Sequence, residues 1–303
     1  MFFHIRHHLA YTYGRPVFLE PTTLRLTPRQ DANQRLLRHR LEIQPPPSGS
    51  SPVLEPDGTD AIVGWFHDTH QDLTIAMEAL VETRRDNPFD WIITDPSARA
   101  LPATYSPELA RSLAPCLEAA EVDPAVAAWA RGRAEEVGGD TSAFLMHLAD
   151  HIHHGFVHIG RLDGDPFSPT ETLRERRGAC RDTAMLFVAA CRALGLAARF
   201  VSGYSMHHPP EVSEHELHAW AEVYLPGAGW RGYDPSLGLA VADGHVALAA
   251  TPDHRLAAPV SGSFRGTGTT STMRYTVTVR AADTLEDLGE GDLVVQRSFP
   301  ASS

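Results

Sequence analysis

The sequence contains no lysine, since all 26 basic residues are arginine. The protein therefore has no lysine amine of its own to offer to an isopeptide cross-link. It also lacks any apolar run long enough for a transmembrane helix. Residues 1–16 alternate apolar and polar side chains, with neither the unbroken apolar segment nor the small-residue cleavage site of a secretory signal. We therefore expect neither a membrane span nor a secretory signal.

Cysteine and positive charge are both scarce. The three cysteines, Cys116, Cys180 and Cys191, are unevenly spaced, which excludes a disulfide framework and a paired-cysteine metal motif. Such usage is typical of a reducing cytoplasm, where we expect the protein to be located. The net charge of −12 disfavours non-specific binding to nucleic acids or anionic membranes, because both need concentrated positive charge. We expect no nucleic-acid or membrane partner.

The composition is that of a globular protein, with 43% hydrophobic and 21% charged residues. The length of 303 residues allows one large domain or two modest ones. Apolar residues recur at odd positions between Phe3 and Val81, and this period of two predicts half-buried strands. Residues 1–85 are therefore predicted to form an antiparallel β-sandwich. Proline-containing dipeptides concentrated in residues 86–107 predict a domain junction, with a second domain over 86–303.

The second region changes from strand to helix and back, so the predicted fold class is α+β. Helical patterns cover residues 107–120, 124–137, 141–155 and 179–194, and strands fit 196–204, 217–225 and 229–234. Asp140, Thr141 and Ser142 supply candidate N-caps for the helix at 141–155, and Gly195 is a candidate C-cap. After about residue 250 the sequence is loop-like, and alternation returns near Tyr275.

Cys180 lies at the predicted start of the last helix. It begins an apolar stripe that continues through Ala184, Phe187, Val188, Cys191 and Leu194. Unpaired backbone N–H groups and the helix dipole at such a position favour the thiolate, and the same groups could stabilise an oxyanion. The residue alone leaves two interpretations, a nucleophile or a small packing residue. Cys116 and Cys191 are interpreted as packing residues.

A histidine and an aspartate follow in positions that suit a thiol enzyme. The alternation in residues 217–225 predicts a strand that buries one face and places His218, Trp220, Glu222 and Tyr224 on the other. A short turn at 226–229 then reverses the chain towards Asp234, so a hairpin can bring Asp234 near His218. Cys180, His218 and Asp234 supply the nucleophile, base and orienting carboxylate of a catalytic triad. A purely structural His–Asp pair remains the alternative.

Four sequence blocks resemble the bacterial transglutaminase-like proteins. They are Arg-Gly-Ala-Cys-Arg-Asp at 177–182, the segment 193–204, His-Ala-Trp-Ala-Glu-Val-Tyr at 218–224 and Gly-Trp-Arg-Gly-Tyr-Asp-Pro at 229–235. Residues 11–29 also resemble the β-rich N-terminal region often joined to that core. The resemblance implies a papain-like α+β core with Cys180 as nucleophile, His218 as base and Asp234 as its orienter. Thr183 stands where the family commonly has Phe or Tyr, which we expect to affect helix packing rather than chemistry.

Other candidate features carry less weight. His147, His151, His154 and His158 have a spacing that could suit a transition metal, but no carboxylate or cysteine lies reliably among them. That question stays open. Trp220 and Trp230 are candidates for the cleft wall, although packing is the commoner role of such residues. Residues 160–169, with Asp163 and Asp165, lack the full pattern of a calcium loop and are interpreted as an ordinary loop.

The triad predicts acyl transfer through a thioester without a cofactor or metal, and the acceptor decides the reaction. Water gives a protease or amidase, whereas a primary amine gives a transglutaminase. We favour hydrolysis of a peptide or amide bond, with a peptide or protein as substrate. A non-catalytic binding protein that retains the fold is the remaining alternative. Specificity is expected in residues 205–213 and 261–272, which read as cleft loops.

Overall fold

A computed structural model describes residues 1–160, 166–207 and 217–289, together with the backbone of 296–297. The predicted loops at 160–169 and 205–213 lie partly outside the described residues, and Asp163 and Asp165 do so entirely. The remainder forms an α+β protein, as predicted, with a β-rich N-terminal part followed by helices around a second sheet.

Six strands precede the first α-helix: β1 Phe2–Leu19, β2 Thr22–Leu24, β3 Gln34–Gln44, β4 Gly49–Leu54, β5 Asp60–Trp65 and β6 Thr69–Thr83. In one sheet, β6 lies between β1 and β3; in a second, β5 lies between β2 and β4. The odd-numbered apolar residues Phe3, Ile5 and Leu9 are buried, whereas Arg6 is exposed. The period-two alternation therefore identified β1, β3 and β6 correctly, whereas β2, β4 and β5 were missed.

The described residues form five α-helices: α1 Pro107–Leu117, α2 Pro124–Glu136, α3 Thr141–Gly155, α4 Pro169–Glu175 and α5 Cys180–Ala193. Four confirm the predicted helices to within three residues at each end. The two caps are confirmed as well: Asp140 Oδ1 accepts a hydrogen bond from the Ala143 N–H, and Gly195 has a φ of 77° just after α5. No helix in the described ranges is long and apolar enough to cross a membrane.

Helix α4 was missed in the sequence. Ser168 caps it by accepting a hydrogen bond from the Glu171 N–H, and Pro169 occupies its first turn. A serine followed three residues later by a glutamate is a helix-start signal that the surrounding glycines and prolines obscured.

A five-stranded antiparallel sheet, separate from the two N-terminal sheets, carries the predicted site. Two short parallel strands, β7 Val157–His158 and β8 Arg177–Gly178, come before it. Its own strands are β9 Ala198–Ser205, β10 His218–Leu225, β11 Gly229–Asp234, β12 Leu239–Ala240 and β13 His245–Thr251. Their spatial order is β12-β11-β10-β9-β13, and α5 packs against β10 and β9. The predicted β10–β11 hairpin is confirmed.

The chain then returns to the N-terminal sheets. The final strands are β14 Val260–Ser261, β15 Phe264–Arg265, β16 Ser271–Ala282 and β17 Gln296–Arg297. Strands β15 and β16 pair with β1, β14 pairs with β2, and β17 pairs with β3. The alternation around Tyr275 thus marks a real strand. The division of the chain after residue 85 stays a prediction.

The expectation that β10 buries only one face was wrong. His218, Trp220 and Glu222, predicted to lie on the open face, are all buried. The N-terminal region covers that face: Arg29 Nη2 lies 2.7 Å from Glu222 Oε1, and the Gln34 side-chain amide bonds both the N–H and the C=O of Ala247. Periodicity within one strand cannot reveal a cover that comes from a distant segment.

Glu222 joins the two regions through charge. Its carboxylate also accepts a hydrogen bond from Arg199 Nε at 2.8 Å. Burial would raise the pKa of Glu222, but Arg29 and Arg199 together lower it to about 2. Because both partners are largely buried, the carboxylate is the charge that allows them to pack there.

We predict that Glu222→Gln lowers the free energy of unfolding at pH 7 by roughly 3 kcal/mol, since it leaves Arg199 without its counter-charge and Arg29 with Asp31 alone. The folded-state pKa is depressed, so this contribution is present above the unfolded value of about 4.3 and is lost as the pH falls towards 2. Urea unfolding at several pH values measures both effects. The exposed Glu108→Gln serves as the matched control, and equal stability of the two variants at pH 7 would contradict the assignment.

Candidate active site

Cys180 is the first residue of α5 and is half-buried. The fully buried Asp182 holds the helix start in place: its Oδ2 accepts a hydrogen bond from the Ala179 N–H at 2.8 Å, and its Oδ1 accepts one from the Phe167 N–H at 2.9 Å. Asp182 packs so closely that a Cβ at Gly178 would lie 2.8 Å from its Cβ. The Gly-Ala-Cys-Arg-Asp segment therefore fixes the thiol at the positive end of the helix dipole.

The Thr183 difference from the family pattern falls in the same turn. Its hydroxyl donates a hydrogen bond to the Cys180 carbonyl at 3.0 Å, and the side chain is buried. Thr183 therefore acts on the helix backbone.

His218 and Asp234 meet across the β10–β11 hairpin. His218 begins β10 and Asp234 ends β11, and His218 Nε2 lies 2.6 Å from Asp234 Oδ2. His218 and Cys180 line the same cavity, and the Cys180 side chain is near enough to help raise the pKa of His218. Because Nε2 is occupied by Asp234, Nδ1 is the nitrogen left for the thiol. The structure thus brings together the three residues predicted from the sequence.

A second histidine shares the same carboxylate oxygen. His245, the first residue of β13, places its Nε2 3.0 Å from Asp234 Oδ2. The other oxygen, Oδ1, accepts hydrogen bonds from the backbone N–H groups of Ser236 and Leu237 and from the Ser236 hydroxyl. Asp234 is therefore held on all sides. The sequence analysis missed His245, although the continuous apolar run that follows it is typical of a fully buried strand.

Charge and burial act together in this network. Burial would lower the pKa of His218, but the Asp234 carboxylate and Cys180 raise it well above its ordinary value. Burial would raise the pKa of Asp234, but the charge on His218 and the hydrogen bonds from both histidines hold it far below its usual range. Burial lowers the pKa of His245, so this ring donates to Asp234 in its neutral form. The arrangement favours a negative Asp234 beside a positive His218, and a cationic imidazole favours a thiolate next to it.

His218, Asp234 and His245 are also of the residue types that bind metal ions, with ligand atoms within 4.8 Å of one another. Both histidine Nε2 atoms, however, already touch the same oxygen at hydrogen-bond distance. A transition-metal ion needs about 2 Å to each ligand and so cannot fit between them as they stand. The geometry is that of a hydrogen-bond network.

The histidine stripe does not assemble into a metal site within the described ranges, where the His218 group is the one cluster of three or more potential ligands. Instead, His147 pairs with Glu136, His151 contacts Arg133, and His154 pairs with Asp150 on its own helix. His158 lies beyond the end of α3, in strand β7.

The other cysteines and the two tryptophans lie away from the thiol. Burial raises the pKa of Cys116 and of Cys191, as expected for packing residues. Trp220 stacks beneath His218 and contacts His245 edge to face, while Trp230 lies under the Arg199 guanidinium. Neither is among the described residues that line the cavity at Cys180. Both tryptophans are packing residues.

That cavity has a volume of about 520 Å³ and exposes both Cys180 and His218. Its walls come from the region around α5, from the five-stranded sheet and from the N-terminal sheet that contains β1, which contributes His7 and Leu9. A volume of this size is typical of ligand sites. A thiol, an imidazole held by a carboxylate and an adjoining cavity are the components of a cysteine-dependent acyl-transfer site.

Two family models match the chain. Residues 132–235 match the transglutaminase-like superfamily, and residues 3–82 match the bacterial transglutaminase-like N-terminal region. The first match contains Cys180, His218 and Asp234, and the second covers strands β1 to β6 almost entirely. The chain therefore contains a transglutaminase-like core and a bacterial transglutaminase-like N-terminal region, as its sequence motifs indicated.

Some similar proteins span most of the chain, and others match only part of it. An uncharacterized protein of Mycobacterium tuberculosis H37Rv is 29% identical over 280 residues, which are 86% of this chain and 86% of that protein. Human kyphoscoliosis peptidase is 30% identical over 105 residues, covering 33% of this chain and 16% of that protein. A solved structure named a "putative cysteine protease", from Cytophaga hutchinsonii, has a TM-score of 0.68 at 23% identity and covers 94% of this chain and 92% of its own. That structure shares the fold.

We predict that Asp234→Asn lowers the pKa of His218 towards or below about 6.5, because burial then acts without the opposing negative charge. The wild-type imidazole should stay protonated to a higher pH than the variant imidazole. NMR titration of the histidine ring measures this difference. His7, whose pKa burial lowers to about 4, provides an internal control that should not move. An unchanged His218 titration would contradict the assigned contact.

We predict that His245→Phe slows acylation of Cys180 by p-nitrophenyl acetate about tenfold or more, since Asp234 loses one of the donors that fix its orientation. His245→Gln retains an N–H donor and should recover most of the rate. Release of p-nitrophenolate measures the rate, and urea unfolding establishes that each variant is folded. Equal rates for the Phe variant and the wild type would show that His245 only packs.

Proposed function

We propose that the protein is a cysteine-dependent hydrolase that cleaves a peptide or amide bond through a thioester on Cys180. The observation that carries the proposal is the contact of Cys180 with a His218 ring held at 2.6 Å by the buried Asp234, beside an open cavity. Each chemical requirement of acyl transfer has a residue assigned to it.

In the proposed reaction the Cys180 thiolate attacks the carbonyl carbon of the scissile bond. Backbone N–H groups at the start of α5 stabilise the negative charge that develops on the carbonyl oxygen. His218 gives its proton to the leaving nitrogen, so that the amine departs and a thioester remains. His218 then takes a proton from water, the hydroxide attacks the thioester, and the thiolate is released. Asp234 stays ionised throughout and keeps Nδ1 of His218 directed at the sulfur.

An extended substrate is favoured by the shape of the surface beyond the cavity. A second cavity of about 710 Å³ adjoins the first and shares Phe200, His254 and Arg255 with it. Two cavities on either side of a common wall suit a chain that continues past the scissile bond better than a small acyl compound. The name of the human relative, a peptidase, supports the same choice.

We predict that iodoacetamide alkylates Cys180 at neutral pH at least about tenfold faster than Cys116 or Cys191, because burial keeps the other two as thiols. Peptide mass spectrometry after timed labelling gives the three rates. His218→Ala should remove the advantage of Cys180. If Cys180 reacts no faster than the two packing cysteines, the activated-thiolate assignment fails.

The acceptor is tested with an acyl donor in the presence and absence of a primary amine. We expect free acid as the main product in both cases, and Cys180→Ser should lower the rate by at least about a thousandfold. The matched control is Cys116→Ala, which should leave the rate near that of the wild type. Amine incorporation that exceeds hydrolysis would replace the hydrolase by a transglutaminase.

A further inference from the structure

One wall of the Cys180 cavity is a face of the N-terminal sheet in which β1 pairs with β16. Leu9 of β1 pairs with Tyr275 of β16, and Tyr11 pairs with Met273. Because side chains alternate along a strand, Leu9, Met273 and Tyr275 project from the same face, and all three line the cavity. Phe200 and Leu217, from the sheet that carries His218, line the same cavity, and Leu217 packs against the apolar cluster that contains Leu9. The space beside the thiol therefore has apolar walls from both parts of the chain.

The polar member of this wall, His7, carries no charge at neutral pH. It is buried, its Nδ1 lies 2.8 Å from the Tyr204 hydroxyl, and burial lowers its pKa to about 4. Tyr204 lies on β9 of the five-stranded sheet. Its contact with His7 therefore also holds β1 of the N-terminal sheet against the five-stranded sheet. The N-terminal wall thus presents aliphatic and aromatic groups and one neutral imidazole.

The charged side chains of the cavity wall are paired with carboxylates. Arg255 Nη2 lies 2.6 Å from Asp253 Oδ2 and Arg181 Nε lies 4.0 Å from Asp182 Oδ1, and none of the described lining residues is itself an aspartate or glutamate. A cationic side chain would therefore enter an apolar space without a carboxylate among its described lining residues, at a cost in desolvation. An uncharged apolar side chain does not meet this cost.

We propose that the face formed by Leu9, Met273 and Tyr275 is the binding site for the acyl-donor side chain, and that it selects bulky, uncharged, aromatic or large aliphatic groups. This inference rests on the proposed function, because it places the acyl carbon at Cys180. The N-terminal sheet is then part of the substrate site, and donors with a cationic side chain next to the scissile bond are rejected.

The selectivity is measured with three alkylating probes that differ only in the group attached to the same electrophile: iodoacetamide, N-benzyl iodoacetamide and N-(2-aminoethyl) iodoacetamide. Alkylation rates of Cys180, each divided by the rate with glutathione, report how well the cavity accepts each group. We expect the benzyl probe to react about tenfold faster than iodoacetamide, since burial of a ring supplies this much binding energy. The aminoethyl probe should be the slowest.

Met273→Asp is the decisive variant. Met273 is 44% exposed, so the fold should tolerate the change, and the added charge should remove the benzyl preference, measured as the ratio of the benzyl rate to the iodoacetamide rate of the same variant. Leu54→Asp is the matched control, because Leu54 is 73% exposed and lies outside the cavity lining. It should keep the wild-type preference.

The outcomes separate this inference from the proposed function. Fast alkylation of wild-type Cys180 by iodoacetamide without a benzyl preference would overturn the substrate assignment and leave the reactive thiol intact. Slow alkylation by all three probes would contradict the proposed function itself. A benzyl preference that survives Met273→Asp would place the apolar site elsewhere.

Discussion

One buried carboxylate, that of Asp234, determines how the five-stranded sheet and the candidate active site are arranged. Asp234 is completely removed from solvent, and an isolated charge there would be strongly destabilising. It is tolerated because two imidazoles, a hydroxyl and two backbone N–H groups all converge on it. These donors come from β10, from β13 and from the turn after β11, so the strands must be assembled in their observed order before the charge is stabilised. The same contacts that make the sheet stable align the histidine with the thiol.

The two halves of the chain depend on each other through polar contacts at their boundary. Arg29 reaches the Glu222 carboxylate, the Gln34 amide pairs with Ala247 like an extra strand residue, and His7 meets Tyr204. Buried polar groups require specific partners, whereas apolar groups tolerate many neighbours. The contacts therefore fix the N-terminal sheet in one orientation over the catalytic sheet. That orientation brings Leu9 and Tyr275 to the cavity that Phe200 also lines.

Local patterns predicted much of this structure, and long-range contacts account for the rest. The helix over Cys180–Ala193, its glycine terminator and the hairpin that joins His218 to Asp234 depend on neighbouring residues, so periodicity and turn chemistry were sufficient to find them. His245 and the cover over Glu222 depend on segments that meet only in the folded chain. The burial of Trp220 was unpredictable for the same reason, because the strand that carries it lies between neighbours on both edges and both faces.

The pairing of β1 with β16 joins segments about 260 residues apart along the chain. Contacts of such high sequence separation form late, since a long loop must close before they contribute. During synthesis the first strand emerges long before its partner, and until then one edge of its sheet has no strand beside it and is open to association with other chains. The five-stranded sheet that carries His218 and Asp234 can assemble earlier, from segments that are closer together. Cys180 and His218 would then be brought together in a nascent chain before the N-terminal sheet encloses the cavity beside them.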